Sequence, residues 1–381
     1  MKILHVGALP SPFALDGVNA TVWQAAAAQA RAGHRVMLLV DREPQEADQN
    51  AAGAMGVSLV AAPVGRIGYD AGTVASIVSD CDIVHLHSVF ILRQAMLARQ
   101  LSALGVPYVI TPNGGLSPAG LRRGAAKKAV YSLLLERTRF RAAAAVSVVV
   151  PGEADDIRSF VPGYQGIIRY IPNPVDPTSL GGFHWKFNPE NNRVVFLGRF
   201  DVLHKGLDLL WEIAERLPHL SFELYGREDH RTRKWFARLT KARPANVNIN
   251  PPVFGLEKAR VLSGAALYLQ PARWEGFPLS VAEAMLVGVP CAMADRTNAG
   301  RQFLKGDLGP TFESRAEAAA VRIDQALHDQ SSMERWSAHA REFALVRFDA
   351  RQIGRQFIDL YSDVLHSASP ADEPVLAETS S

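Results

Sequence analysis

The chain has 381 residues, 48% hydrophobic and 21% charged, ordinary proportions that exclude wholesale disorder; at roughly 100–200 residues per domain they point to two domains. Forty-one Lys and Arg against 38 Asp and Glu leave a net charge of +3, too weak a basic balance to argue for nucleic-acid binding. Cys81 and Cys291 form no CxxC or Cys/His spacing, which excludes a disulfide scaffold and offers no zinc site. No apolar run reaches the roughly 18 residues that span a membrane, and MKILHVG lacks the long apolar core and cleavage site of a secretory leader. A cytoplasmic protein with reduced thiols is expected.

In chain order, short apolar runs alternate with longer helical stretches. Strands are predicted over residues 2–6, 35–40, 82–86, 107–111, 145–150 and 167–171, and helices over 19–32, 91–104 and 118–142. Apolar strands of this length separated by helices make a parallel sheet covered on both faces. Residues 173–192, rich in Pro, Gly and Asn, break the rhythm and read as a linker. It restarts with strands at 194–197, 221–225, 266–269 and 289–292 and helices at 206–217 and 280–287. The expected fold class is α/β, with two tandem Rossmann-like, doubly wound domains (1–172 and 193–349) and a cleft between them. Residues 350–366 read as a closing amphipathic helix packing back toward the first domain, and 367–381 as a disordered tail.

Two motifs carry chemistry. In WEGFPLSVAEAMLVGVP (274–290), Glu275 stands at a strand-to-helix turn and Glu283 in the first turns of the following helix. The N–H groups at that helix start are a ready anion site, and a carboxylate on either side can bind sugar hydroxyls, as a nucleotide-sugar pocket needs. On spacing alone, a surface turn carboxylate and a dipole-favoured helix charge explain the pair equally well. In FLGRFDVLHKGLDLL (196–210), Gly198 and Arg199 end a strand and Lys205-Gly206 opens the next helix, so both cations reach the carboxyl end of the sheet. An arginine fork and a lysine point charge suit a diphosphate, although such cations in an isolated loop are usually just solvated.

Taken together, these elements resemble glycosyltransferase family 4, retaining enzymes of the GT-B fold. The family's Arg…Lys-Gly and Glu-x7-Glu elements match at Arg199/Lys205 and Glu275/Glu283, in order, and the likeness covers nearly the whole chain. Asp16-Gly17-Val18-Asn19 stands at the glycine-rich first loop, His87 of DIVHLHS at a cleft histidine, and PNGGLSP, IPNPVD and the closing helix also fit. The resemblance implies that Arg199 and Lys205 hold the donor diphosphate, Glu283 accepts from the donor ribose and Glu275 binds the transferred sugar. Gly17, Gly198, Phe277, Pro278, Leu279 and Ser280 would complete the donor site, and Asn19, His87 and Asn113 the acceptor side. Arg199, Lys205, Glu275 and His87 form the implied catalytic set, working by a front-face mechanism with the leaving phosphate as base. Neither metal nor cofactor is implied beyond the nucleotide-sugar co-substrate. The acceptor would be a saccharide, free or polyprenyl-linked, in bacterial surface-polysaccharide assembly. A sugar-nucleotide epimerase or phosphorylase of the same architecture, or a non-catalytic nucleotide-sugar sensor, is the alternative.

Several positions depart from the family pattern. The first loop has Asp16-Gly17 where two glycines are common, Asn113 stands where relatives often have histidine, and GRED (226–229) replaces Gly-x-Gly. Asn298-Ala299-Gly300 is a weak version of the loop after the Glu-x7-Glu unit. Asp80-Cys81-Asp82 has the look of a metal motif but precedes an inner strand, and His85 and His87 share a strand face without an evident third ligand. Finally, between Leu116 and Arg141 seven cations stand against Glu136 alone, interleaved with apolar residues. A helix over Arg122–Arg141 with that pattern either lies on an anionic membrane or packs its apolar face on the first domain's sheet, and both can hold at once.

Overall fold

The structure, a computed structural model, describes residues 1–12, 17–118, 121, 125–230 and 232–368. Seven parallel strands form the first sheet: β1 (Lys2–Val6), β2 (Arg35–Val40), β3 (Val57–Ala61), β4 (Ile83–His87), β5 (Tyr108–Thr111), β6 (Ala145–Val148) and β7 (Ile167–Tyr170), in the order β3-β2-β1-β4-β5-β6-β7. The second holds β8 (Arg193–Leu197), β9 (Ser221–Tyr225), β10 (Val247–Asn250), β11 (Leu267–Gln270), β12 (Cys291–Ala294) and β13 (Thr311–Phe312), in the order β10-β9-β8-β11-β12-β13. Helices cover both sheets, giving two Rossmann-like units. Strand order reverses between β1 and β4 and again between β8 and β11, and at such switch points the carboxyl ends of the strands open a crevice for ligands.

The central strands are buried along their whole length because helices pack on both faces, which is why they read as continuous apolar runs. One core layer of the first sheet is completed by residues far away in sequence: Ile353, Phe357, Leu360, Tyr361 and Val364 of helix Ala350–Ala368 cluster with Ile3, Val22 and Trp23. That helix lies against the alanine-rich face of helix Gly17–Arg31. A Cβ at Gly354 would sit 3.1 Å from the backbone of Ala28, so the contact depends on glycine and alanine meeting. The crossing into the closing helix runs beside the crossing out of the first unit, Val175 N donating to the Phe348 carbonyl at 2.9 Å.

Several boundaries differ from the sequence reading for local reasons. β6 stops at Val148, not 150, because the Val149 N–H is taken by Glu153 Oε2 at 2.9 Å. β12 starts at Cys291 because Pro290 has no N–H for the ladder. The segment expected as a loose linker is fastened to the second unit: Trp185 is buried and its indole donates to the Ala265 carbonyl at 2.8 Å. β3, β10 and β13, short and partly polar, were not predicted. The helix expected over 118–142 is interrupted by a π-turn at Ser132–Glu136, between helices Ala125–Tyr131 and Arg137–Arg141; residues 119–120 and 122–124, including Arg122 and Arg123, lie outside the described residues. The closing helix runs to Ala368, and the rest of the expected tail likewise lies outside the described residues.

Candidate active site

A cleft of about 600 Å³ lies at the carboxyl ends of both sheets. From the first unit it is lined by Gly17, Thr21, Asn113 and Val149, and from the second by Gly198, Arg199, His204, Lys205, Lys258, Glu283 and the segment 275–280.

Lys205 is placed by the residue after it. Gly206 adopts φ +67°, and a Cβ there would collide with the Pro271 carbonyl, so only glycine turns the short helix Val202–Lys205 into helix Leu207–Arg216. Asp201 caps the short helix by accepting from His204 N at 3.1 Å. The Lys205 ammonium then pairs with Glu275. His204 stacks on Trp274 with ring centroids 4.9 Å apart, and its Nε2–H donates to the Trp274 carbonyl at 2.9 Å while lying 3.2 Å from Glu275 Oε1. Burial pushes the Glu275 carboxyl up, but Lys205 and then His204 overcome it and hold the group well below the usual carboxylate range. Glu275 is therefore an ionised acceptor on the cleft floor.

Arg199 is held through its Nε, 3.1 Å from Oδ2 of the buried Asp229. On the same side of the cleft, Lys258 Nζ donates to Glu283 Oε1 at 2.6 Å. Helix Leu279–Val287 starts without a side-chain cap at Pro278, leaving its first N–H groups toward the cleft. Its start is fixed to the β8 end by Tyr268, whose hydroxyl donates to the Leu197 carbonyl at 3.2 Å and shares a hydrogen bond with Ser280 Oγ at 2.8 Å. Phe277 turns into the core against Phe348, centroids 4.7 Å apart, so its side chain anchors the loop.

One family model, Glycosyltransferase Family 4, matches residues 15–179, and a second, Glycosyl transferases group 1, matches residues 183–343. The chain belongs to the family 4 glycosyltransferases. Among solved structures, this glycosyltransferase is similar to sucrose-phosphate synthase from Thermosynechococcus elongatus (TM-score 0.77, 18% identity, 97% of this chain and 100% of that one). It is also similar to HepE of Anabaena in complex with UDP and glucose (0.75, 17%, 95% and 100%) and to WaaG, a glycosyltransferase involved in lipopolysaccharide biosynthesis (0.68, 16%, 94% and 99%). These likenesses establish the GT-B fold. No curated protein matches the chain by sequence.

The structure does not bring every expected residue of this glycosyltransferase to the cleft. His87 does not line it: the side chain is 3% exposed and Nε2 lies 2.9 Å from His5 Nδ1. Asn19 is buried as well, accepting from Leu9 N at 2.7 Å and donating to the Ser11 carbonyl at 3.0 Å, so it fastens the first loop instead of facing an acceptor. Asn113 does line the cleft, in a left-handed conformation (φ +52°) that asparagine tolerates, with one Nδ2–H donating to the Thr111 carbonyl at 3.1 Å.

The third histidine missing from the sequence reading is His5, because strand register puts it opposite His85. His5, His85 and His87 have ligand nitrogens within 4.8 Å of one another, the composition of a metal centre, yet five of the six ring nitrogens are hydrogen-bonded inside the protein. With Gln29 Oε1 accepting from His5 Nε2–H (2.9 Å), His5 Nδ1 accepts from His87 Nε2–H. His85 sits between the Tyr361 hydroxyl (2.6 Å) and Thr111 Oγ1 (2.7 Å). Burial holds all three well below the ordinary histidine range, His5 at about 4, so the cluster is neutral at pH 7. Asp80 and Asp82 lie at the opposite, amino end of β4, where Asp80 pairs with Lys2 and Arg35 and Asp82 accepts from Lys2 N.

His204, Asp229 and Lys258 were not singled out from the sequence. His204 adjoins the Lys-Gly element and Asp229 falls in the aberrant GRED loop, so both had a local signal. Lys258 had none, since no local pattern shows that helix Gly255–Ser263 packs against helix Leu279–Val287.

Proposed function

We propose that this glycosyltransferase takes a hexose-type sugar from a nucleotide-sugar donor to a saccharide acceptor with retention of configuration and without a divalent metal. The observation that carries this reading is the convergence of Arg199, Lys205, Glu275, Glu283 and an uncapped helix start on one cleft. Arg199 and Lys205 meet the donor diphosphate, and with the helix N–H groups they stabilise the charge that develops as it leaves. That is the role a metal ion fills elsewhere. Glu275, kept ionised by Lys205, accepts from hydroxyls of the transferred sugar, and Glu283 accepts from the ribose. The complexes of HepE with UDP, glucose and UDP-glucose support this class of donor. The test is a thermal-shift panel of nucleotides and nucleotide sugars, followed by nucleotide release from the best donor with and without EDTA. Ligand at about 100 Kd should add roughly 2.7 kcal/mol of stability. Binding without release would mark a sensor, and loss of activity in EDTA restored by magnesium or manganese would overturn the metal-free mechanism.

The acceptor, on the same proposal, is lipid-linked and met at the cytoplasmic face of a membrane. Val130, Leu133 and Leu134 are 61%, 69% and 61% exposed on the segment that also carries Lys128, Arg137 and Arg141. Arg139 takes no part in that surface: it is buried, with Nη1 on Glu136 at 2.8 Å and Nη2 on Gln94 Oε1 at 2.9 Å, so the local basic balance rests on the other cations of the segment. Phe140 of the same segment is in the core, so the helix packs and exposes at once. No helix among the described residues is long and apolar enough to cross a membrane. Co-sedimentation with anionic vesicles at low salt, lost at high salt and with neutral lipid, is the expected behaviour. Absence of binding to anionic vesicles at low salt would reduce this helix to ordinary packing.

A further inference from the structure

The Glu275 pair has a counterpart in the same cleft, whose lysine lies outside both sequence motifs. Lys258 Nζ donates to Glu283 Oε1 at 2.6 Å, both side chains line the cleft, and they are only 21% and 10% exposed. They reach each other from separate elements: Lys258 from helix Gly255–Ser263 after β10, Glu283 from helix Leu279–Val287 after β11.

Charged side chains this far from water are satisfied by pairing, and a lysine–carboxylate contact is one of the stronger, charge-assisted hydrogen bonds. Lys258 supplies that contact. It also occupies one side of Oε1, so Oε2 is the oxygen outside that contact. The contact fixes the carboxylate plane as well, which removes rotamers that a free glutamate would have to give up on binding.

We infer that Lys258 is a positioning residue for the nucleoside of the donor: it holds the Glu283 carboxylate oriented so that Oε2 accepts from a ribose hydroxyl, and the pair together makes the site select ribose over deoxyribose. The inference rests on the donor-site reading above. A lysine that instead touched the phosphates, or merely tied two helices together, would affect binding whether or not the sugar carried hydroxyls.

The experiment is calorimetric titration of the full chain with whichever of UDP, GDP and ADP binds tightest, and with its 2′,3′-dideoxy form, on wild type, Lys258→Met, Lys258→Gln, Lys258→Arg and Glu283→Gln. Wild type should prefer the ribonucleotide by at least about tenfold, the scale of one hydrogen bond to a charged group. Lys258→Met and Glu283→Gln should each lose about that much for the ribonucleotide and little for the dideoxy form, so the preference collapses. Lys258→Arg should restore most of it. Should the Met variant not fold, Lys258→Gln, confirmed folded by its melting temperature, carries the same comparison. Unchanged ribonucleotide affinity in a folded Lys258 variant, or equal losses for both nucleotides, would overturn the inference while leaving the donor site standing. Failure of wild type to bind any of the three would overturn the donor-site reading and the inference with it.

Discussion

Replacing Lys205 by Met separates two roles that one ion pair combines. It removes a cation 14% exposed from a carboxylate 13% exposed and leaves Glu275 with His204, whose Nε2–H already donates to the Trp274 carbonyl. Breaking a fully buried pair costs about 3–5 kcal/mol; the remaining histidine and the open cleft bring the expected cost down to about 2 kcal/mol. For a unit of this size that lowers the melting temperature by about 4–8 °C. Turnover should fall by about 10²–10³, the usual loss when one preorganised charge-stabilising group is removed. The double variant Lys205→Met/Glu275→Gln removes both charges, so its stability should return to within about 1 kcal/mol of wild type while its turnover stays low. The pH dependence follows from the depressed Glu275 carboxyl: its stabilisation is complete above the unfolded value of 4.5 and disappears as pH falls through the lower folded value. Wild type therefore has more to lose in acid than the Met variant, and the gap in melting temperature should narrow between pH 7 and about pH 3. Calorimetry across that range, with nucleotide-release kinetics at pH 7.5, measures both effects. A gap independent of pH, a double variant as unstable as the single, or near wild-type turnover in folded Lys205→Met would each refute the reasoning.

His5 gives a second acid dependence with the same direction and a different origin. Its folded value of about 4 lies below the unfolded 6.5, so the unfolded chain takes up the proton first and stability falls by about 3 kcal/mol as pH drops through that interval. Urea unfolding at pH 7 and pH 5 should show a smaller change in His5→Gln than in wild type, and equal changes would contradict the assignment. Asp229→Ala frees the Arg199 guanidinium and should cut kcat/KM about tenfold, mostly through donor KM, with Asp229→Asn intermediate. Gly354→Ala, which ordinarily strengthens a helix, should here destabilise by about 1–3 kcal/mol, because the new methyl meets Ala28 backbone; a raised melting temperature would show that the helices yield.

How much of this could be read from the sequence depended on whether a feature was local. Glu275, Glu283, Arg199 and Lys205 lie in two short motifs at strand ends, so doubly wound topology alone carries them to one crevice. The sheets' inner strands were legible because burial on both faces leaves no polar position to interrupt them. His87 was misplaced because strand alternation tells which face it shares with His85, not whether that face meets solvent or helix. His5 was overlooked for a related reason, since its partner lies across a strand register that no local pattern encodes. Strand ends were wrong where a side chain such as Glu153 captured a backbone N–H, a competition that apolar patterning cannot register. The basic helix does not offer all its cations to solvent, because Arg139 and Glu136 pair inside the protein, a burial that charge counting cannot show.

The return of helix Ala350–Ala368 onto the first sheet sets a timetable for synthesis. The first sheet's strands leave the ribosome early, yet one of its apolar faces, together with Gln29 and His85, waits for Phe357 and Tyr361. The second unit must emerge in full before that face is covered. During that interval the nascent chain displays an apolar layer flanked by neutral histidines, a surface suited to chaperone capture and prone to association. A stop codon near residue 349 would thus damage the half of the protein made first, not the half it truncates.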